Sequence, residues 1–354
     1  MIKSLFILLQ LVPALLSPPA DTLRMLFLGD IMQHSTQLQS AYTGNGSPRE
    51  PEAYNYSQYF KYLQPYFENS HIVAANIETT FAGPPFSGYP LFNSPASLAK
   101  ECNRTGINLF FAANNHSMDK GVRGLTGSIS LFKEIEVDYT GIYLSPEDEQ
   151  ENHPLIVTKR GIRTAFLNYT YGTNGINVPE PYIVKLLDSN TVKSDLQKAA
   201  ILNPHFTIVS VHWGDEYKLT PSESQLQWEK LFYDYGADIV IGSHPHVPQP
   251  VVTYRDNQGT ISRVTVYSLG NAISNMTAAN TRIGIMLGIT VSRNWAGETT
   301  IHQPETHLIW TSRPEATGGY FTIIPVKDYL AAPDSFNIKG EYSLIESYYK
   351  KFSE

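Results

Sequence analysis

The stretch "DIVIGSHPH", residues 238–246, joins a short apolar run to serine, proline and two histidines. Because the run is apolar on both faces, it is typical of a central strand in a covered sheet. The same pattern recurs along the chain, and each run ends on Asp, Glu, Asn or His. The other instances are "MLFLGD" (25–30), "IVAANIE" (72–78), "LFFAANNH" (109–116), "FTIVSVHWGDE" (206–216) and "VTVYSLGN" (264–271).

Between these apolar runs, several stretches show the periodicity of an α-helix. In the stretch "TPSESQLQWEKLFYDYG" (220–236), Thr220 and Glu223 have the spacing of a capping box, with Pro221 predicted at the first helical position. Strand followed by helix, repeated, predicts an α/β fold. The other helical stretches are "SQYFKYLQPYFENS" (57–70), "SPASLAKECNRTG" (94–106), "GLTGSISLFKEIE" (124–136) and "TVKSDLQKAAILN" (191–203).

Length and charge limit the classes of protein that this chain can belong to. It has 354 residues, of which 42% are hydrophobic and 17% are charged. This composition is globular, and we predict one large domain over residues 21–354. The formal net charge of -7 lacks the basic excess that binding to a phosphate backbone requires. We therefore expect no nucleic-acid partner.

The first residues have the pattern of a secretory signal. Lys3 precedes an apolar stretch over residues 5–16, and small residues follow it. We therefore predict a signal peptide over residues 1–20 and export to a bacterial periplasm or cell surface, with an uncleaved membrane anchor as the alternative. Cys102 is the only cysteine, so no intramolecular disulfide forms, which agrees with bacterial export.

The polar strand ends predict a metal site. In such sheets the ligand crevice lies at the carboxyl ends of the strands, where carboxylates and imidazoles from distant parts of the chain would meet. Oxygen and nitrogen ligands without cysteine suit Mn, Fe or Zn. His244 precedes Pro245, so we expect it to be extended, with His246 pointing to the same side. Both imidazoles would then face one metal pair.

Six motifs together resemble the CapA (PgsA) family of capsule and poly-γ-glutamate biosynthesis proteins. The family is in turn similar to the calcineurin-like metallophosphoesterases. The resemblance runs with gaps from Met25 to Asn275, and it implies a four-layer αββα sandwich of two mixed sheets. In chain order the motifs are "LFLGDIM" (26–32), "NIETT" (76–80), "AANNHSMDKG" (112–121), "VHWGDEY" (211–217), "IGSHPHVPQ" (241–249) and "YSLGN" (267–271).

The resemblance also implies a ligand set for two divalent metal ions (Mn, Fe or Zn). Glu78 stands where the phosphoesterases have an aspartate that bridges the two metals, so it departs from them while agreeing with the CapA pattern. His116, from the Asn-His pair, would contact substrate and act as the general acid. The implied metal ligands are Asp30, Glu78, Asn115, His212, His244 and His246.

Residues close to these motifs are candidates for orienting the ligands or contacting substrate. Glu216 either is a loop residue or orients a histidine by a hydrogen bond, and Asp119 is a candidate for the same orienting role. His34 either approaches the site or caps a helix, and Arg123 either meets an anionic group or is a solvated arginine at a helix start. Residues 81–95, rich in Gly, Pro and aromatics, are predicted to form a loop over the rim. The full set is His34, Asp119, Arg123, Tyr171, Asn174 and Glu216.

Two functions remain open at this point. The first is an exported CapA-like protein with metal-dependent, phosphoesterase-like hydrolase chemistry on an anionic polymer or phosphoester substrate. The second is a non-catalytic binding or scaffold component of a membrane-bound exopolymer synthesis complex. Ala272 follows "YSLGN" where the family usually has an aromatic residue. The resemblance therefore predicts metal binding more directly than it predicts substrate preference.

Overall fold

The computed structural model describes residues 21–353, so the signal peptide predicted over residues 1–20 lies outside the described residues. The described strands alternate with helices along much of the chain, as the apolar runs predict. They are β1 (Asp21–Ile31), β2 (Ile72–Ile77), β3 (Leu109–Phe111), β4 (Asp138–Thr140), β5 (Ile142–Tyr143), β6 (Leu155–Lys159), β7 (Ile162–Thr170), β8 (Ile183–Val184), β9 (Phe206–His212), β10 (Ile239–Ser243), β11 (Val251–Arg255), β12 (Ile261–Val266), β13 (Asn271–Ile273), β14 (Ile283–Arg293), β15 (Thr299–Ile301), β16 (Glu305–Ser312) and β17 (Thr322–Pro325).

Most of the described helices are short, and most of them connect consecutive strands. Two single 3₁₀ turns accompany them, at Pro51–Ala53 and Pro333–Ser335. None of the helices within residues 21–353 has both the length and the apolar character that a membrane crossing requires. The α-helices are α1 (Ser35–Ala41), α2 (Gln64–Glu68), α3 (Ala96–Thr105), α4 (Gly121–Glu134), α5 (Pro146–Asn152), α6 (Ser189–Ile201), α7 (Glu223–Asp234), α8 (Pro314–Thr317), α9 (Val326–Ala331) and α10 (Tyr342–Phe352).

The predicted start of α7 is wrong by two residues. The helix begins at Glu223, and Ser222 is its N-cap, with its hydroxyl accepting from the amide of Gln225. The Ser222 amide in turn donates to Gln225 Oε1 at 2.9 Å, so the capping box is this pair rather than Thr220 and Glu223. Pro221 therefore precedes the helix. Two overlapping sets of capping residues occur here, and only the later one forms the cap.

Both large sheets are mixed. In the larger one the order is β17-β16-β14-β1-β2-β3-β4, with β1 to β4 parallel and β14, β16 and β17 antiparallel to their neighbours. The smaller sheet has the order β11-β12-β10-β9-β7-β6, with parallel central strands and antiparallel edge strands. The strands β5 and β8 form a separate pair. The predicted α/β fold with two mixed sheets is confirmed.

Three apolar cores separate four layers. Along β1, Phe27 faces the core between the two sheets, while Leu26 and Leu28 face the core under α3 and α4. Phe111 from the larger sheet meets Phe166 from the smaller one, with ring centroids 6.4 Å apart. A third core joins the smaller sheet to α6 and α7. Truncating such a buried phenylalanine to alanine costs about 3–5 kcal/mol, so the packing of these cores holds the two sheets against each other.

Candidate metal centre

Strand ends from both sheets meet at one rim. In the larger sheet β1, β2 and β3 are neighbours and parallel, and β7, β9 and β10 are neighbours and parallel in the smaller one. Asp30 lies at the end of β1, Glu78 directly follows β2, and His212 is the last residue of β9. All three side chains are fully buried. The fold thus brings carboxylates and imidazoles from distant parts of the chain together.

Asp30 is held by three contacts, one from β2 and two from the turn after β10. Asn76 Nδ2 donates to Asp30 Oδ1 at 2.7 Å, and the His244 amide approaches Asp30 Oδ2 at 3.4 Å. His246 Nδ1 lies 3.1 Å from the same oxygen. The preceding Gly29 allows this arrangement, because a Cβ there would stand 1.8 Å from the carbonyl oxygen of Gly270. Only glycine lets the chain leading into β13 approach so closely.

The Glu78 carboxylate is buried without a hydrogen-bond partner. Neither oxygen has one, and Oε1 lies 3.6 Å from His212 Nε2 and 3.9 Å from the Nε2 atoms of both His116 and His246. Burial, reinforced by Asp30, Asp119 and Glu216, raises the pKa of Glu78 well above its usual value. A buried charge without a partner is costly unless a cation neutralises it. The surroundings of Glu78 therefore fit a divalent cation.

The histidines after β10 have a backbone different from the predicted one. His244 has φ 97° and His246 has φ 58°, so neither is extended, and the expectation for His244 is wrong. The chain turns sharply here, yet the two rings still share one side, with centroids 5.8 Å apart. Positive φ at two residues that are not glycine stores strain, which is typical of functional sites.

His212 links the two sheets at the centre of the rim. Its Nδ1 lies 3.1 Å from Ser243 Oγ and 3.3 Å from Asn76 Nδ2, which orients the ring. Its Nε2 lies 2.9 Å from Asn115 Oδ1, besides its approach to Glu78. Burial, followed by the repulsion of neighbouring imidazoles, lowers the pKa of His212 far below its usual value. The ring is therefore neutral, which is the form that binds metals.

Two groups of three side chains have ligand atoms within 4.8 Å of one another, and His246 belongs to both. One group is Asp30, Glu78 and His246, and the other is Glu216, His244 and His246. Burial, with the neighbouring imidazoles, lowers the pKa of His244 to about 3. Glu216, which the sequence suggested only as an orienting residue, is thus placed where a ligand would lie. Oxygen and nitrogen donors grouped in this way suit a divalent cation.

His116 and Asp119 form a buried pair beside this cluster. His116 Nδ1 lies 2.7 Å from Asp119 Oδ2, which also accepts from the Phe92 amide at 2.6 Å. The Phe92 ring packs edge-on against the imidazole, with centroids 4.6 Å apart. The carboxylate fixes one ring nitrogen, so His116 Nε2 faces the Glu78 carboxylate. An imidazole oriented in this way is suited to proton transfer at Nε2.

The other predicted residues lie around this cluster, with one exception. Tyr171 packs on His244 with centroids 4.6 Å apart, and Asn174 Oδ1 accepts from Asn115 Nδ2 at 3.3 Å. His34 is both the N-cap residue of α1 and part of the cavity wall, and burial lowers its pKa to about 4. Arg123 instead donates to the Pro84 carbonyl at 3.3 Å, away from the cavity lining.

An open cavity of about 310 Å³ leads to the cluster. His34, His116, Glu216 and His246 contribute to its wall, together with Tyr217. No lysine or arginine is among the described residues that line it. Binding of an anionic group in this cavity would therefore depend on bound cations rather than on basic side chains.

Sequence reasoning assigned no role to two asparagines that hold the ligands. Asn76 donates to Asp30 and approaches His212, whereas Asn271 Oδ1 lies 2.9 Å from His246 Nδ1. Both belong to motifs that were recognised, "NIETT" and "YSLGN". Their position in the sequence was a usable signal, because both asparagines lie at the ends of apolar runs, as the predicted ligands do.

Comparison with known proteins gives the family. A family model described as "Bacterial capsule synthesis protein PGA_cap" matches residues 24–276. "Capsule biosynthesis protein CapA" of Bacillus anthracis is 28% identical over 264 residues, which are 72% of this chain and 60% of that protein. "PGA biosynthesis protein CapA" of Bacillus subtilis (strain 168) is 27% identical over 306 residues, 81% of this chain and 72% of that protein. The chain thus spans less than two thirds of the length of the first relative.

Solved structures support the fold. The chain is similar to the calcineurin-like phosphoesterase YfkN from Bacillus subtilis, with a TM-score of 0.51 and 13% sequence identity. The match covers 82% of this chain and 91% of that one. At this identity the likeness shows the fold alone. The predicted resemblance to a capsule family with a phosphoesterase-like fold is confirmed.

Proposed function

The chain belongs to the bacterial capsule synthesis protein family, and on that premise we propose that it is a metal-dependent hydrolase of phosphoester-like bonds in capsule synthesis. The proposed cofactor is a pair of divalent ions, Mn, Fe or Zn. The proposed substrate is a phosphoester or an anionic polymer, and the proposed setting is an exported protein that works beside a membrane-bound synthesis complex.

The observation that carries this proposal is the Glu78 carboxylate, buried without a partner between imidazoles. A protein that only needed a scaffold would gain nothing from this costly group. Bound divalent cations would supply Lewis-acid chemistry at the scissile bond. The residues that would hold them are Asp30, Glu78, Asn115, His212, Glu216, His244 and His246.

The chain's own residues divide the remaining work. Asp119 fixes His116 through Nδ1, which leaves Nε2 to donate a proton to the leaving oxygen of the substrate. Asn76 and Asn271 keep Asp30 and His246 in place, as groups behind metal ligands commonly do. Tyr171 packs against His244 and supports the position of its ring.

Metal content of protein purified without chelators tests the proposal. We expect bound transition metal in the wild type and its loss in Asp30→Ala and His244→Ala, because both residues belong to the buried donor groups. His302→Ala is the matched control, since His302 is exposed and its ring contacts Ser292 Oγ at 2.8 Å, away from the donor groups. Retention of metal by both site variants would contradict the ligand assignment.

Hydrolysis of bis-p-nitrophenyl phosphate by the metal-loaded protein is the second measurement. We expect turnover that His116→Ala abolishes while metal content stays at the wild-type level. Metal binding without turnover of any phosphoester would contradict the hydrolase proposal and favour a binding component of the capsule machinery.

A further inference from the structure

A second groove, of about 550 Å³, adjoins the metal cavity. One wall comes from α1 and the segment around residues 42–54, and the other comes from the loop 81–95 that was predicted to cover the rim. We call it the tyrosine groove. Its principal side chains are Tyr42, Tyr54, Phe86, Tyr89, Leu91 and Lys120.

The tyrosine groove is continuous with the metal cavity. Tyr89 lines both, and Ser35 of the groove directly follows His34 of the cavity wall. The two walls touch at Gly88, where a Cβ would lie 2.3 Å from the Ser35 amide nitrogen. A ligand with one end at the metal centre can therefore extend into the groove without leaving the protein surface.

Four of the described residues that line this groove are aromatic. Tyr42 and Tyr54 have ring centroids 5.5 Å apart, and Phe86 meets Tyr54 edge-on at 5.4 Å. The hydroxyls of the first two donate to the carbonyls of Gly46 and Pro48, which anchors their rings. Tyr89 is 70% exposed, a large fraction for an aromatic side chain in a folded domain. Such rings are prepared to stack on a ligand.

Exposed tyrosines also occur at the metal cavity. Tyr89 and Tyr217 line it, and Tyr171 packs on His244. The three come from different loops, and each is at least 42% exposed. Tyr217 lies near His246, with ring centroids 6.4 Å apart, as Tyr171 lies near His244. The stacking surface therefore continues from the groove to the reacting end of a bound ligand.

The charge of the groove excludes a polyanion as its preferred occupant. Lys120 is the one cation among the described residues that line it, and no acidic side chain lines it. Polyanions are held by several lysines or arginines in a row. The negative face of an aromatic ring instead attracts the weakly positive C–H groups of a neutral ring. The hydroxyls of Ser35 and Ser87 and the amide of Gln39 add uncharged hydrogen-bonding groups.

We propose that the tyrosine groove binds an uncharged saccharide segment of the substrate, whose phosphoester end reaches the metal cavity. Sugar rings combine apolar C–H faces with hydroxyls at their edges, which is the chemistry that this groove complements. This inference rests on the proposed function for the phosphoester end, whereas saccharide binding itself requires only the groove.

Isothermal titration calorimetry with chitotetraose, cellotetraose and maltotetraose tests the proposal. We expect the wild type to bind at least one of them, and Tyr89→Ala to raise its dissociation constant roughly two- to tenfold through the lost stacking. Tyr89→Phe keeps the ring and should bind as the wild type does. Trp295→Ala is the matched control, since Trp295 is 75% exposed and lies in the turn between β14 and β15, outside the groove.

Any one of three results would overturn the proposal. The first is no binding of any of the three saccharides, and the second is tighter binding of a γ-linked glutamate oligomer or of AMP. The third is a loss of saccharide affinity in Trp295→Ala equal to that in Tyr89→Ala. Metal content is measured on the same samples and is expected to be unchanged in Tyr89→Ala. Failure of the metal site would therefore be seen separately from failure of the groove.

Discussion

Replacing Glu78 with glutamine tests whether its carboxylate is placed for a cation. Without metal, both carboxylate oxygens are buried with no hydrogen-bond partner, and His212 Nε2 is 3.6 Å away. The carboxylates of Asp30, Asp119 and Glu216 add repulsion. A buried charge without a partner costs several kcal/mol, whereas an unsatisfied neutral group costs about 1–3 kcal/mol.

We therefore expect Glu78→Gln to raise the free energy of unfolding of the chelator-treated protein by about 1–3 kcal/mol. Adding a divalent cation should make the wild type more stable than Glu78→Gln. A ligand that binds only the folded state, at roughly a hundredfold its dissociation constant, adds about 2.7 kcal/mol. Only the wild type keeps the whole set of donors, so only the wild type should gain this amount.

Urea denaturation followed by circular dichroism, in EDTA and in manganese chloride, measures both changes. Glu229→Gln is the matched control, because Glu229 is also buried but accepts hydrogen bonds from the hydroxyls of Tyr254 and Tyr267 at 2.9 and 2.6 Å. The control should lose stability in both conditions. The reasoning is refuted if Glu78→Gln is less stable than the wild type in EDTA, or if manganese stabilises both proteins equally.

Three further predictions follow from single contacts. Asp119→Asn should slow phosphoester hydrolysis about 10–100-fold with metal content unchanged, because an amide no longer fixes His116 through Nδ1 as the carboxylate does; hydrolysis at the wild-type rate would contradict this role. Gly29→Ala should unfold more readily than Gly172→Ala in thermal denaturation, because a Cβ meets backbone 1.8 Å away at the first position and nothing within 4 Å at the second; equal melting temperatures would contradict it. Burial raises the pKa of Asp238 to about 6, although the hydrogen bond from the Thr207 amide opposes this change. The wild type should therefore lose up to about 3 kcal/mol of stability between about pH 4 and pH 7. Asp238→Asn should lose less stability when urea denaturation is measured at these two pH values.

The strand ends could be predicted because they depend on local sequence. An apolar run followed by a carboxylate or imidazole marks the end of a buried strand, and this pattern predicted where Asp30, Glu78 and His212 would lie along the strands. The helix start at Ser222 was missed because Thr220 offers a similar cap two residues earlier. Local sequence does not decide between two such caps.

The backbone of His244 could not be predicted from its neighbour Pro245. Contacts from the loop after β9 set it, because the Trp213 amide donates to the Ser243 carbonyl and the Tyr217 amide donates to the Pro245 carbonyl. These bonds hold the turn against the local preference for an extended residue before proline. The supporting asparagines were missed for a related reason, since an asparagine at a strand end is ordinarily a turn residue.

The long separation along the chain between contacting site residues has a consequence for folding. His244 and Asp30, which meet at the centre, are 214 residues apart in sequence. Bringing such distant segments together requires closing a very long loop, and contacts of this kind form late and slowly. Binding of the proposed cation would therefore have to wait until both sheets have docked. Uptake of metal during refolding would report the final assembly of the whole chain, after its separate parts have acquired their secondary structure.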